Sequence, residues 1–152
     1  YASRFANVLR DRGQTRGDRL SVLLSQHPET TLTHIAAWKL GMISGPTSVL
    51  FGTDALTYRL NHSRARVLVT DSDNLPKVRA IRADCPHLEH VFLIDDAAHD
   101  ADNFWRVLEH ASPVCPAVDT AADDPAWISY TSGTTGAPKG ALQPHRLLLG
   151  IL

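Results

Sequence analysis

The residues best suited to chemistry stand together near the end of the sequence, in YTSGTTGAPKG, Tyr130 to Gly140. Four hydroxyls (Thr131, Ser132, Thr134 and Thr135) alternate with Gly133 and Gly136, and Pro138, Lys139 and Gly140 follow. Glycines let a backbone turn sharply and come close to a ligand, so that successive N–H groups become donors for an anion. The hydroxyls add donors. Pro138 holds Ala137 to extended conformations, and Lys139 brings a flexible point charge that suits phosphate oxygens. This donor set matches a polyphosphate. Gly, Ser, Thr and Pro also dominate ordinary solvated turns, so order and context must separate the two readings. The order is not G-x-x-x-x-G-K-[ST], because Ala137 and Pro138 precede Lys139 and Gly140 takes the place of the magnesium-binding hydroxyl.

The elements around this stretch must hold it in place. Phe5, Val8 and Leu9 share a face at helical spacing, with Gly13 placed for a left-handed cap. RLSVLL (Arg19 to Leu24) reads as a strand buried on both faces. Pro28 suits a first helical turn, and Leu32, Ile35, Ala36, Leu40 and Ile43 predict one apolar stripe ahead of a strand near Gly45 to Leu50. The alternation continues with a helix from about Asp54 and the strand VLVT (Val67 to Thr70). A helix with Leu75, Val78 and Ile81 and the strand VFLI (Val91 to Ile94) come next. Asp102 is predicted to cap a helix bearing Phe104, Val107, Leu108 and Ala111, and AWISY follows a loop over Ser112 to Pro125. Such alternation predicts an α/β fold around a mostly parallel sheet. The Tyr130 to Gly140 stretch then leaves the carboxyl edge of a strand, where open α/β sheets bind ligands, and leads toward a helix in Leu147 to Leu152.

Composition excludes several classes. The 152 residues are 43% hydrophobic and 20% charged, with 15 Lys and Arg against 16 Asp and Glu, as in an ordinary globular domain. No basic face for nucleic acid is evident, since Lys77, Arg79 and Arg82 read as a solvated helix face. No apolar run approaches the roughly 20 residues of a membrane span. Cys85 and Cys115 form no disulfide framework, so a reducing compartment, the cytoplasm, is expected.

The longer segment DDPAWISYTSGTTGAPKGALQPH (Asp123 to His145) resembles the phosphate-loop signature of the acyl-adenylate-forming, AMP-binding superfamily. RFANVLRDRGQTRGDRLSVLLSQHPE (Arg4 to Glu29) and WKLGMISGPTSVLFGTDALTYRLNHSRARVLVTD (Trp38 to Asp71) are similar to the amino-terminal half of acyl-CoA synthetases, so the likeness spans nearly the whole sequence. The resemblance implies ATP-dependent activation of a carboxylic acid to an acyl adenylate, with Mg2+, and then transfer to a thiol, coenzyme A. It assigns phosphate contacts to Thr131, Ser132, Gly133, Thr134, Thr135, Gly136 and Lys139. Lys139 would stabilise departing pyrophosphate, and His145 falls where many members carry a histidine near the reacting groups. No metal ligand is assigned. The family's later motifs for adenine, ribose, the hinge and the adenylation lysine have no counterpart here. Residues 1–152 are therefore expected to be an amino-terminal fragment of the domain, inactive alone and without the carboxy-terminal domain. The competing expectation is a natural short chain that keeps the fold as a binding module.

Other clusters read as structure. CPHLEH (Cys85 to His90) has no familiar zinc spacing and is expected to connect a helix to a strand. Trp38, Trp105 and Trp127 are expected to be partly buried, and the pairs Asp95 with Asp96 and Asp123 with Asp124 to act as caps or solvated charges.

Overall fold

The computed structural model describes residues 1–96, 98–132 and 136–147. Helix α1 (Ala2–Asp11) buries Phe5, Val8 and Leu9. It ends in a left-handed cap: Gly13 lies at φ +78°, its N–H donates to the Arg10 carbonyl at 2.9 Å, and Gln14 N–H donates to Leu9 at 3.0 Å. Strand β1 (Arg19–Leu23), helix α2 (Pro28–Lys39), strand β2 (Ile43–Pro46) and helix α3 (Thr53–Ser63) follow. The second half begins with strand β3 (Val67–Thr70), helix α4 (Leu75–Ile81) and a 3-10 turn over Arg82–Asp84. Strand β4 (His90–Leu93), the short strand β5 (Asp102–Asn103), helix α5 (Phe104–Glu109) and strands β6 (Pro125–Thr131) and β7 (Lys139–Pro144) complete the chain.

The seven strands form one sheet in the order β5-β4-β3-β1-β2-β6-β7, parallel throughout except for the antiparallel pair β6 and β7. Both faces are covered. On one, α1, α2 and α5 pack on Leu20, Val22, Val67, Val69 and Phe92; on the other, α3 and α4 pack on Leu23, Leu68, Val91 and Leu93. This accounts for the uninterrupted apolar run at Val67 to Val69, whose members alternate between two dry faces.

Four local expectations change. Strand β2 ends at Pro46 instead of running toward Leu50, because the chain turns at Ser48, whose carbonyl accepts from Phe51 N–H at 3.1 Å and whose hydroxyl accepts from Leu50 N–H at 3.2 Å. In α2 the buried face carries Thr33, His34, Ala36 and Ala37, whereas Ile35 is 40% exposed. Asn103, not Asp102, caps α5, accepting from Arg106 N–H at 2.8 Å, while Asp102 pairs with Arg12 at 2.7 Å. Lys77, Arg79 and Arg82 are each partnered, by the Val49 carbonyl, Asp100 and the Glu89 carbonyl.

The largest difference is β7. The Tyr130 to Gly140 stretch does not lead directly into a helix; the chain returns along β6, with Thr131 opposite Lys139 and Ile128 opposite Leu142. Its described ends remain at the carboxyl end of the sheet, with Tyr130 opposite Gly140 and Thr131 opposite Lys139 as the facing arms of a hairpin. Leu147 is the last described residue, so the segment expected to be helical lies almost wholly outside the described residues.

Candidate functional site: a tethered hairpin beside a cleft

Thr131 and Lys139 face each other at the mouth of the hairpin, and Thr131, Ser132, Gly136 and Lys139 are all exposed. Gly133, Thr134 and Thr135 lie outside the described residues. Gly136 adopts φ +153° with open space where a Cβ would point, consistent with a backbone that something else could approach. Gly140 does another job. A Cβ there would lie 3.0 Å from Ile128 Cδ1 and 3.3 Å from a Tyr130 ring carbon, so this glycine serves the pairing of β6 with β7.

Helix α3 grips both arms of the hairpin. The Tyr58 hydroxyl donates to the Pro138 carbonyl at 2.9 Å on the returning arm. On the incoming arm the Tyr130 hydroxyl donates to the Arg59 carbonyl at 3.2 Å and lies 3.0 Å from His62 Nδ1. Tyr58 and His62 are four residues apart on one helical face and stack with centroids 5.5 Å apart. Burial pushes the Tyr130 phenol above its ordinary pKa, so it stays a neutral donor. No sequence motif marks Tyr58, His62 or Tyr130 as functional. Their i, i+4 spacing was the available signal, but nothing in it named the hairpin as the partner.

Beside the hairpin, at the carboxyl ends of β1, β2 and β6, lies a cleft of about 350 Å³ whose walls include Leu24, Thr47, Ser48, Phe51, Arg59 and Tyr130. The Thr47 hydroxyl is spent on Ser21 at 2.7 Å, whereas Ser48 is exposed at the rim. Arg59 is 8% exposed, with its guanidinium carbon 3.9 Å from the centroid of the Phe51 ring and 5.4 Å from that of Tyr130.

His145 is not brought to this place. It follows β7 at the opposite end of the hairpin, where its N–H donates to the Asp124 carbonyl at 3.0 Å. Six strand residues, on the order of 20 Å, separate it from the Lys139 end. The tryptophans are half-buried: Trp38 donates to the Ala126 carbonyl at 2.8 Å, Trp105 donates to Glu29, and Trp127 packs on His34. Asp95 accepts from Ser72, Asp124 accepts from Ala121 N–H and pairs with Arg16, and Asp123 pairs with Arg146. In CPHLEH, Cys85 is buried, which raises its thiol pKa, and His90 opens β4. Among the described residues no group of three or more His, Cys, Asp and Glu could hold a metal ion. The exposed hydroxyls and the Lys139 ammonium, which has no hydrogen bond or ion pair among the described residues, fit phosphate oxygens. They offer no carboxylate set for Mg2+.

Comparison with known proteins gives a consistent picture. The chain matches the family model described as AMP-binding enzyme over residues 1–150. It is 35% identical over 148 residues to the mitochondrial acyl-coenzyme A synthetase ACSM4 of Rattus norvegicus, covering 96% of this chain and 25% of that protein. It is 33% identical over 152 residues to the acetyl-coenzyme A synthetase of Bacillus subtilis (strain 168), covering 97% of this chain and 26% of that protein. Among solved structures, the anthranilate CoA ligase AuaEII in complex with anthranoyl-AMP superposes with a TM-score of 0.92 at 27% identity, over 95% of this chain and 28% of that one. An acyl-CoA synthetase of Brucella canis gives a TM-score of 0.86 at 30% identity, over 98% of this chain and 27% of that one. The chain spans about a quarter of the length of these relatives, and its fold is that of the amino-terminal region of adenylate-forming enzymes.

Proposed function

Because this chain belongs to the AMP-binding enzyme family, we propose that it supplies the phosphate-binding loop of an acid-thiol ligase that joins a carboxylic acid to coenzyme A at the expense of ATP. In the first step a carboxylate oxygen attacks the α-phosphorus, the bond to the β-phosphate oxygen breaks, and pyrophosphate leaves. In the second, the sulfur of the thiol attacks the acyl carbon, AMP departs with the oxygen, and the thiol proton passes to solvent.

The observation that carries this reading is the exposed mouth of the hairpin, where Thr131, Ser132 and Lys139, whose ammonium has no partner among the described residues, meet at the carboxyl end of the sheet. Charge accumulates on pyrophosphate as it leaves, and donors already fixed in place stabilise it without reorganising. The α3 tethers supply that fixity. Thr131, Ser132, Gly136 and Lys139, together with Gly133, Thr134 and Thr135, make up the proposed phosphate contacts. Mg2+ would add charge neutralisation through the phosphate oxygens, and none of the steps assigned to these residues passes through it. His145 takes no part in the proposal, being at the other end of β7. The free, buried Cys85 and Cys115 support a reducing compartment, the cytoplasm. By themselves the 152 residues are held to be inactive, since they span a quarter of their relatives.

The test supplies the protein carrying this chain with ATP, Mg2+, CoA and a panel of short-chain, medium-chain and aromatic acids, and follows pyrophosphate. Release that requires the acid, with acyl-CoA formed in equal amount, is expected. ATP turnover to inorganic phosphate without acid, or no turnover with any acid, would overturn the reading.

A further inference from the structure

Arg59 carries a charge that nothing described in the structure balances. Its Nη1 donates to the Ala55 carbonyl at 2.7 Å, one turn back in α3. Its Nε is buried with no hydrogen-bond partner, and no carboxylate among the described residues forms an ion pair with it. The contrast within the chain is clear: Arg66 is held by Asp18 and Glu89, Arg12 by Asp102, and Arg79 by Asp100, although all three are more exposed than Arg59. A guanidinium withdrawn from water without a counter-charge is strongly unfavourable, and stacking on Phe51 and Tyr130 offsets only part of that cost. Engagement of Nη1 and burial of Nε leave Nη2 as the guanidinium donor open to an oxygen of an anion.

The cleft that Arg59 lines also has the exposed hydroxyl of Ser48 at its rim and Ser129 in its wall, and it opens beside the last residues of β6. We propose that Arg59 is the anion receptor of this cleft and takes the carboxylate or phosphate group of a small-molecule ligand. The acid substrate and the nucleotide both carry such a group under the ligase reading, on which the choice of ligands rests.

The experiment is a calorimetric titration of the protein carrying this chain with butyrate and, separately, with AMP; it requires no turnover and so stands apart from the ligase assay. Arg59→Gln removes the charge and keeps an amide. Ser48→Phe narrows the cleft from its exposed rim and leaves the guanidinium in place, which keeps the test decisive if Arg59→Gln does not fold. A tenfold or greater loss of butyrate affinity in these variants assigns the anion to a carboxylate, and the same loss for AMP assigns it to a phosphate. Arg146→Ala, exposed and paired with Asp123 beyond the far end of β7, is expected to leave the affected probe within twofold. If the folded variants bind both probes as the parent does, or if the parent binds neither at millimolar concentration, the proposal is overturned and the charge of Arg59 is met by other protein groups.

Discussion

The Tyr58 hydroxyl and the Pro138 carbonyl, 80 residues apart in sequence, meet in a 2.9 Å hydrogen bond that ties α3 to the returning arm of the hairpin. With the Tyr130 hydroxyl bound to the Arg59 carbonyl on the incoming arm, one helix sets the spacing of both. Tyr58→Phe keeps the ring and its stack on His62 and removes one tether. The loss is about 1 kcal/mol, roughly fivefold in the rate of adenylation. It is expected in kcat for pyrophosphate formation, with thioester formation from preformed acyl adenylate unchanged. An equal fall in both half-reactions would show a general loss of structure instead.

Lys139→Ala removes the only cation in the proposed phosphate loop. If its contact strengthens as pyrophosphate departs, adenylation should slow by about 3 kcal/mol, roughly a hundredfold, with little change in ATP affinity. Arg146→Ala is the comparison. Arg146 is exposed and pairs with Asp123 beyond the far end of β7, so both half-reactions should remain within about twofold. Pyrophosphate release measured at saturating ATP checks both.

Gly45 marks the closest approach between β2 and β6. A Cβ at this position would stand 2.7 Å from Ile128 Cγ2 and 2.8 Å from the Ile128 carbonyl oxygen, so Gly45→Ala must push two central strands apart. A destabilisation of about 1–3 kcal/mol is expected. Gly52→Ala, with nothing within 4 Å, should cost less than about 1 kcal/mol. Urea denaturation of the two variants measures the difference.

His34 predicts a pH dependence. It is 5% exposed between Trp38 and Trp127, neither ring nitrogen has a partner, and burial lowers its pKa to about 4. In the unfolded chain the imidazole takes a proton near pH 6.5, whereas the folded protein resists protonation until about pH 4. Between those values the unfolded state binds more protons. The stabilisation is therefore complete above about pH 6.5 and is lost as the pH falls toward 4, by up to about 3 kcal/mol. Urea midpoints between pH 7 and 4 should show the decline. In His34→Phe, that part of the slope should vanish.

The alternation of helices and strands, the Gly13 cap, Pro28 at the start of α2, and the placing of a hydroxyl- and glycine-rich stretch at the end of a strand are legible in the order of residues. All are local: periodicity, capping and turn chemistry depend on residues within one or two turns, which a sequence displays directly. What meets what is set by long-range packing. The strand order β5-β4-β3-β1-β2-β6-β7 sets β2 against β6 across some 80 residues of chain, and so makes Gly45 a close contact with Ile128. Strand β7 is not legible in the sequence because KGALQP pairs only by virtue of β6 beside it, its Gly140 fitted to Tyr130 and its Leu142 opposite Ile128. The grip of Tyr58 on Pro138 and the isolation of the Arg59 charge arise in the same way. A side chain's partner, or its lack of one, is set by the surfaces that long-range packing brings to it, and the order of residues along the chain does not carry that information locally.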